Sequence, residues 1–249
     1  MAGLNREIRP VVVGALLMAA VLTAVLLGCM KEGTMLDIPE GGLIPGESIP
    51  PIDASAPAHT ETATFALGCF WAPDSLFGSL DGVVRTRVGY AGGTLADPTY
   101  RNLGDHTETI QIDYDPTRVS YGQLMEVFWA SHNPTTQRWS RQYMSIIFYH
   151  NSEQFTLATQ GKQREEASLG RRVYTEIIPF SQFYLAEDYH QKYHLQQIAE
   201  LMEELTTIYP NFADFRDSTA VARINGYVGG HVTLEELQAQ LSSSWPASG

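Results

Sequence analysis

Cysteine is scarce in this sequence of 249 residues, which contains only Cys29 and Cys69. Two cysteines are too few for a disulfide framework or for a zinc site built from several thiolates. Positive charge is scarce as well, because 16 Lys and Arg residues stand against 28 Asp and Glu residues and leave a net charge of −12 at pH 7. A surface of that sign repels phosphate groups, so we do not expect nucleic acid as a partner.

The N-terminal segment has the layout of a secretory signal. Arg6 and Arg9 precede an uncharged run at 11–27, and Gly28 and Cys29 follow it, so that residues 26–29 read LLGC. That ending resembles a bacterial lipobox, in which the signal is cut before the cysteine and the cysteine is acylated. We therefore predict a signal at 1–28, a lipid on Cys29, and an exported, membrane-tethered protein on the periplasmic or extracellular face. An uncleaved membrane anchor is the alternative, because a run of seventeen apolar residues is close to the lower limit for a membrane span.

A spacer is predicted to follow the signal. Residues 29–60 contain five prolines and no large aromatic residue. Such a segment buries too little apolar surface to offset the entropy lost on ordering, so we expect it to be flexible. The catalytic domain is predicted at 61–209 and a C-terminal extension at 210–249.

Strands and helices are predicted to be mixed within the domain, without a βαβ rhythm. This mixture favours the α+β class. The predicted strands are 61–67, 106–115, 142–150 and 172–180, together with a strand within 82–93 that runs into a Gly-rich loop. The predicted helices are 69–79, 120–132 with Ser120 as its cap, 152–170 with Ser152 as its cap, and 185–205, at least in its second half. A loop and a short helix are predicted within 225–237.

Cys69 lies where a predicted strand meets a predicted helix, in the stretch TFALGCFWAPDS. The N-terminus of a helix stabilises negative charge, which shifts a thiol there toward the reactive thiolate. The alternative is that Cys69 is a small buried residue with a packing role.

Glu108 is the second candidate for a chemical role. In the alternating stretch 106–115 it shares one face with three apolar residues, which are Ile110, Ile112 and Tyr114. A carboxyl group on a buried apolar face has a raised pKa and stays protonated near neutral pH. A thiolate and a protonated carboxyl group together supply a nucleophile and an acid. Alternatively, Glu108 lies at the end of its strand and faces water.

Seven blocks of the sequence, in order over about residues 62–195, resemble the peptide methionine sulfoxide reductase A family. They are GCFW (68–71), GVVRTRVGYAGG (82–93), PTY (98–100), DHTETIQIDYDP (105–116), LMEVFW (124–129), RQYMS (141–145) and AEDYHQKY (186–193). The resemblance implies a two-layer α/β sandwich around a mixed sheet in a single catalytic domain. It also implies reduction of methionine-(S)-sulfoxide, free or in proteins, with no bound metal and no bound cofactor.

The resemblance assigns roles to four residues. Cys69 matches the nucleophile that attacks the sulfoxide sulfur, and Glu108 matches the residue that protonates the sulfoxide oxygen. Tyr100 and Tyr143 match the tyrosines that hydrogen-bond this oxygen. The products implied are methionine and a sulfenic acid on Cys69.

Phe70 and Trp71 match the apolar cage that takes the methyl group of the substrate, where burial and dispersion favour it. In most proteins such aromatic residues belong to the core. His190 is a candidate for the periphery of the site, although a single histidine on a helix is more often structural.

Three departures from the family pattern matter. The segment before Glu108 is short. Arg138 occupies the position, five residues before Tyr143, at which the family usually has an aspartate; the arginine could favour the Cys69 thiolate or cap a shortened loop. No cysteine follows residue 69, so no C-terminal resolving cysteine is present. An external thiol, from a thioredoxin-like protein or a small molecule, is expected to reduce the sulfenic acid, unless Cys29 is not lipidated and reaches the site.

The predicted function is thiol-dependent repair of oxidised methionine in exported proteins. The partners would be oxidised proteins or free methionine sulfoxide, a thioredoxin-like reductant and a membrane. One alternative is a lipoprotein of the same fold that binds methionine sulfoxide or a peptide with little or no turnover. A third possibility is another cysteine chemistry that uses His106 or His190 as a base, although their spacing indicates no catalytic pair.

Overall fold

The computed structural model describes residues 48–245, together with residues 36, 38, 39, 42 and 43. The predicted signal at 1–28 and the predicted lipid site at Cys29 lie outside the described residues. Backbone contacts divide the chain into a unit Met1–Asp37 and a unit Ile38–Gly249, and every helix and strand of the described residues belongs to the second unit. Among these described elements, none is a helix long and apolar enough to span a membrane.

Six strands form one mixed sheet with the order β5-β4-β1-β3-β2-β6. The strands are β1 Glu61–Leu67, β2 Val83–Ala91, β3 Thr107–Tyr114, β4 Ser145–Tyr149, β5 Glu176–Pro179 and β6 Phe183–Leu185. Neighbouring strands are antiparallel except for β4 and β5, which are parallel. The α+β class predicted from the sequence is confirmed.

Nine α-helices and two short 3-10 helices accompany this sheet in the described residues. The α-helices are α1 Pro51–Ala54, α2 Trp71–Gly78, α3 Tyr121–Ala130, α4 Ser152–Leu169, α5 Tyr193–Gln196, α6 Ala199–Ile208, α7 Phe212–Asp217, α8 Thr219–Val228 and α9 Leu234–Leu241. The 3-10 helices are Arg141–Tyr143 and Asp188–His190. Ser120 caps α3 through a capping box with Gln123, as its sequence predicts.

The main core lies between helices and one face of the sheet. Phe65 of β1 and Ile110 of β3 are paired in register on that face and are buried against Phe128 of α3. Glu108 follows the same alternation along β3 and therefore lies on the same face as Ile110. The carboxyl group is thus held on the helix-covered side of the sheet.

Several predicted boundaries were wrong. The cap of α4 is Asn151, whose side chain accepts a hydrogen bond from the Gln154 backbone, and Ser152 is already in the helix. The first residues of the predicted strand 142–150 form a 3-10 turn. The predicted loop at the start of 225–237 is helical, because it continues α8.

The largest difference is in the first half of 185–205, a stretch that was predicted to be helical at least in its second half; the second half is helical. The chain forms the end of β6, a 3-10 turn, α5 and α6. The helix is interrupted because the Gln191 side chain bonds to both the N–H and the C=O of Val88, and because Lys192 adopts a left-handed conformation with φ of 52°. Tertiary contacts override the local helical preference here.

The prediction of a flexible spacer at 29–60 needs a correction at its described end. Asp53 of α1 accepts hydrogen bonds from the N–H groups of Thr219 and Ala220, at 2.7 and 3.1 Å, and from Ser218 Oγ at 2.6 Å. A carboxylate with these donors stabilises the N-terminus of α8. Composition did not reveal that this end of the spacer is ordered, because the contacts that hold it come from one acidic side chain, Asp53.

The predicted C-terminal extension at 210–249 contributes to the core. Within it, α8 packs along α2 and β2, and Arg223 of α8 is fully buried. The guanidinium donates to the carbonyl oxygens of Gly78, at the end of α2, and of Val83, at the start of β2. The extension therefore supports the helix that follows Cys69.

Candidate active site

Cys69 lies at the junction of a strand and a helix, as predicted. β1 ends at Leu67, Phe70 is the N-cap residue of α2, and Cys69 is exposed. The turn between them uses Gly68 with φ of 106°, a left-handed conformation that favours glycine. The turn directs the chain from the interior of the sheet to the surface and leaves the thiol accessible near the N-terminus of α2.

Glu108 is buried, with only 1% of its surface exposed. Its Oε2 accepts the backbone N–H of Phe70 at 3.1 Å, and its Oε1 accepts Gln142 Nε2 at 2.7 Å. Burial raises the pKa of Glu108 above its usual value, although these two donors oppose the rise. The position at a strand end facing water, which the sequence left open, is thus ruled out, and Glu108 is held beside the residue that follows Cys69.

The two predicted tyrosines meet at the same place. The pKa of Tyr143 is raised to about 12, first by burial, then by the negative charge of Glu108 and by the neighbouring Tyr100. Cys69 is also close enough to contribute to this rise. Tyr100 is 37% exposed and donates its backbone N–H to Glu187 Oε1 at 3.0 Å. A thiol, a carboxyl group and two phenols therefore share one region.

Aromatic rings form one wall of the site. Phe70 is buried, whereas Trp71 is half-buried and lies against Tyr193 in a parallel stack with ring centroids 3.6 Å apart. The indole Nε1–H of Trp71 donates to His190 Nδ1 at 3.1 Å. The His190 ring also contacts Phe70 and Tyr100, with centroids 5.0 and 4.7 Å apart. His190 therefore touches three of the predicted site residues.

The protonation of His190 follows from its surroundings. Burial lowers the pKa of His190, while Glu187 partly opposes this shift. In the neutral ring Nδ1 accepts the hydrogen bond from the indole N–H, so the ring proton of His190 is assigned to Nε2. This nitrogen cannot act as a base toward Cys69 while it carries a proton.

His106, the other histidine considered, serves the loop around it. Its Nδ1 accepts the Gly93 N–H at 3.2 Å and its Nε2 bonds to the Leu95 carbonyl at 2.8 Å. Both ring nitrogens are thus used by backbone groups, which disfavours a cysteine–histidine pair at this site. Among the described residues, no group of three or more His, Cys, Asp or Glu side chains is arranged to hold a metal ion.

Arg138 lies beside the turn that carries Cys69. It is exposed, and its Nη2 is 4.0 Å from the point that a Cβ on Gly68 would occupy. The pKa of His132 is lowered mainly by burial, and the Arg138 charge lowers it further. The cation therefore lies near Gly68, the residue that precedes Cys69.

Sequence reasoning missed Gln142, Glu187 and Tyr193. Glu187 accepts the Tyr90 hydroxyl at 2.7 Å as well as the Tyr100 N–H, and so holds the segment that carries Tyr100. All three residues lie within blocks that resemble the family, RQYMS and AEDYHQKY, and this was the only signal in the sequence. Their partners are far away in the sequence, so no local pattern indicates them.

Solved structures with this fold define the class of protein. Methionine sulfoxide reductase A of Corynebacterium diphtheriae is 30% identical with a TM-score of 0.51, and the match covers 69% of this chain and 91% of that chain. Mxr1 of Saccharomyces cerevisiae in reduced form is 28% identical with a TM-score of 0.53, over 58% of this chain and 88% of that chain. The class is an α+β oxidoreductase.

The family follows from the sequence comparisons. Residues 61–223 match the model of the peptide methionine sulfoxide reductase family. A peptide methionine sulfoxide reductase of Drosophila melanogaster is 43% identical over 181 residues, which are 72% of this chain and 72% of that protein. Peptide methionine sulfoxide reductase A5 of Oryza sativa subsp. japonica is 44% identical over 70% of each chain. The chain belongs to the peptide methionine sulfoxide reductase family and is an oxidoreductase that acts on methionine sulfoxide.

Proposed function

We propose that this protein reduces methionine-(S)-sulfoxide, free or in proteins, with Cys69 as the nucleophile. The observation that carries the proposal is the position of Glu108. A buried carboxyl group with a raised pKa accepts the N–H of the residue next to an exposed thiol. This arrangement supports the roles of Glu108 as proton donor and Cys69 as nucleophile, because cleavage of a sulfur–oxygen bond requires both.

In the proposed reaction, Sγ of Cys69 attacks the sulfoxide sulfur while Glu108 gives its proton to the sulfoxide oxygen. Tyr100 and Tyr143 donate hydrogen bonds to this oxygen, and the pKa of about 12 keeps Tyr143 protonated at neutral pH. The sulfur–oxygen bond breaks, methionine leaves, and the oxygen ends on Cys69 as a sulfenic acid. The sulfoxide gains two electrons and the thiol loses two.

Phe70 and Trp71 would hold the S-methyl group. Trp71 is half-buried and stacks on Tyr193, and it packs against the cluster in which Phe70 lies with Val88 and Tyr90. Burial of a methyl group against such rings is favourable, and polarizable sulfur contacts add to it.

Arg138 would favour the reactive form of the nucleophile. A guanidinium beside Gly68 stabilises a negative charge on the adjacent Cys69, in the same direction as the N-terminus of α2. Both effects increase the thiolate fraction at neutral pH.

The catalytic cycle would be completed by an external thiol. No cysteine follows residue 69 in the sequence, and Cys69 is exposed. Two thiols of a thioredoxin-like protein or of a small molecule would reduce the sulfenic acid, releasing water and a disulfide. The layout of residues 1–29 supports export, a lipid on Cys29 and a role in repairing exported proteins at a membrane.

A stereospecific assay tests the proposal. The chain from residue 30 onward is mixed with dithiothreitol and with each epimer of an acetylated methionine sulfoxide amide. The S epimer should be reduced, Cys69→Ser should abolish turnover and Glu108→Gln should reduce it by about 100-fold or more, the usual share of a general acid. Failure of the wild type to turn over the S epimer with ample thiol would refute the proposal.

A binding protein of the same fold is the second candidate, and Arg138 is the feature that favours it. An arginine in place of the aspartate usual in the family reverses the charge beside the site. If the protein only binds, the affinity for methionine sulfoxide should survive both Cys69→Ser and Glu108→Gln, and no methionine should form with the wild type.

A further inference from the structure

Four consecutive residues, His190 to Tyr193, form a support behind Trp71. The two outer residues contact the indole directly, because His190 accepts its N–H and Tyr193 stacks on its ring. The two inner residues are fully buried and fasten the segment to the rest of the domain. Gln191 bonds to the backbone of β2 through Val88, at 3.0 Å to the N–H and 2.8 Å to the carbonyl oxygen.

Lys192 fastens the segment to α2. Its backbone N–H donates to Asp74 Oδ2 at 2.7 Å, and its Nζ donates to Asp74 Oδ1 at 2.9 Å. The same Nζ donates to the carbonyl oxygen and the hydroxyl of Thr86 on β2, at 2.6 and 2.9 Å. Neither charged side chain is exposed to solvent. Asp74 lies one turn after Trp71 on α2, so the pair connects the helix that carries Trp71 to the segment that supports its ring.

We propose that the Lys192–Asp74 pair is a positioning device for Trp71, and that it sets the preference of the site for methyl over larger alkyl sulfoxides. The inference rests on the proposed function, in which Trp71 lines the methyl pocket. Without the pair, His190 and Tyr193 would no longer be held at a fixed distance from α2. The indole would then lose its hydrogen bond and its stacking partner for part of the time, and the pocket would accept a wider group.

The physical cost of the pair indicates a role beyond stability. Removing two charges from water is expensive, and buried ion pairs often stabilise a fold no more than apolar side chains of similar volume would. Lys192 also has the uncommon left-handed backbone with φ of 52°, which bulky residues adopt only where their surroundings fix them. What the pair does secure is geometry, because two carboxylate oxygens bind the backbone and the side chain of a single residue.

The test uses the full chain with the double variant Asp74→Asn/Lys192→Met. Asparagine keeps the shape of the carboxylate, and methionine keeps the unbranched stem of lysine, so no buried charge is left alone. A matched control is Arg223→Met, which also removes a fully buried cation but one that binds the far end of α2 at Gly78. Thr86→Val is a milder variant that removes only the hydroxyl between the two charged groups.

Two measurements follow from the proposal. The first is hydrogen exchange of the Trp71 indole N–H by NMR, with the resonance assigned by its absence in Trp71→Phe. Its exchange should accelerate about tenfold in the double variant and about threefold in Thr86→Val, as expected when a hydrogen bond of ordinary strength is weakened. The second is the ratio of kcat/KM for methionine sulfoxide to that for ethionine sulfoxide, which one methylene should set at about tenfold or more in the wild type.

In the double variant we expect this ratio to fall to about twofold, whereas Arg223→Met should keep both the ratio and the indole protection of the wild type. Unchanged indole exchange in the double variant, or faster exchange with an unchanged ratio, would overturn the proposal. Faster exchange of the Trp71 indole N–H in Arg223→Met would also overturn the proposal, because a general loosening of the domain would then explain the result in the double variant. If the double variant does not fold, Thr86→Val decides. If the wild type reduces neither sulfoxide, the proposed function fails, and the indole exchange alone decides whether the pair positions Trp71.

Discussion

Replacing Gln142 with leucine should raise the pKa of Glu108 further. Gln142 Nε2 donates to Glu108 Oε1 at 2.7 Å, and this bond is one of two that oppose the effect of burial. A donor stabilises the charged carboxylate more than the neutral acid, so its removal disfavours ionisation. The second donor, the Phe70 N–H at 3.1 Å, stays in place because it belongs to the backbone.

The size of the shift follows from the strength of one hydrogen bond to a charged group. Such bonds contribute about 1.5 to 3 kcal/mol, and the lower end applies because Gln142 is half-buried and water can replace part of its effect. About 1.5 kcal/mol corresponds to about one pH unit. The other groups near Glu108 leave this value unchanged, because Tyr90 and Tyr143 have raised pKa values and stay neutral in the range of the titration.

A carbon-13 NMR titration of the Glu108 carboxyl measures the shift directly. It is done in the Cys69→Ser background so that no thiol titrates nearby. The midpoint should lie above the usual 4.5 in the parent and about one pH unit higher with Gln142→Leu. Gln160→Leu, the same replacement on the exposed surface of α4, should leave the midpoint unchanged. A midpoint that stays in place or falls with Gln142→Leu would refute the view that this amide stabilises the carboxylate.

Four further outcomes are expected. Glu108→Gln should be more stable than the wild type at pH 7 by urea denaturation. The pKa of Glu108 is raised in the folded protein, so the wild type loses stability as the pH rises above the unfolded pKa of 4.5. Equal stabilities at pH 7 would contradict the burial of this carboxyl group. Arg223→Met should lower the free energy of unfolding by about 3 kcal/mol, since two buried carbonyl groups lose their donor, and a loss below about 1 kcal/mol would count against this. Asp53→Ala should cost about 1 to 2 kcal/mol and accelerate proteolysis between residues 48 and 60, and an unchanged cleavage rate would contradict this. Arg138→Gln should slow alkylation of Cys69 by iodoacetamide about twofold at pH 7 in low salt, as for an exposed charge pair, and the difference should vanish in high salt.

Elements that depend on local sequence were predicted well. The alternation in TETIQIDY places Glu108 and Ile110 on one buried face, and this placement requires only the twofold repeat of a strand. The Ser120 capping box likewise depends on residues three positions apart. The junction that holds Cys69 was predicted because a strand pattern stops at a glycine just before a run that suits a helix.

Contacts between distant segments could not be predicted in this way. Gln142 lies 34 residues from Glu108, and Lys192 lies 118 residues from Asp74. The same contacts explain why the first half of 185–205 is not helical, because a segment whose side chains are bonded to β2 and α2 cannot keep the hydrogen bonds of a continuous helix. Asp53 gave no signal either, since it is one acidic residue in a stretch rich in proline and glycine.

Helix α2 connects these distant contacts to the chemistry. At its N-terminus the Phe70 N–H binds Glu108, in its first turn Asp74 binds Lys192, and at its last residue the Gly78 carbonyl binds Arg223. This helix of eight residues is thus held at three points along its length by parts of the chain that lie far apart in the sequence. In the proposed mechanism the fixed position of α2 matters because Cys69 has to take part in both steps of the reaction. One exposed thiol must first meet a sulfoxide beside a buried acid and then meet an external reductant, so the thiol has to stay accessible while the acid beside it stays out of water.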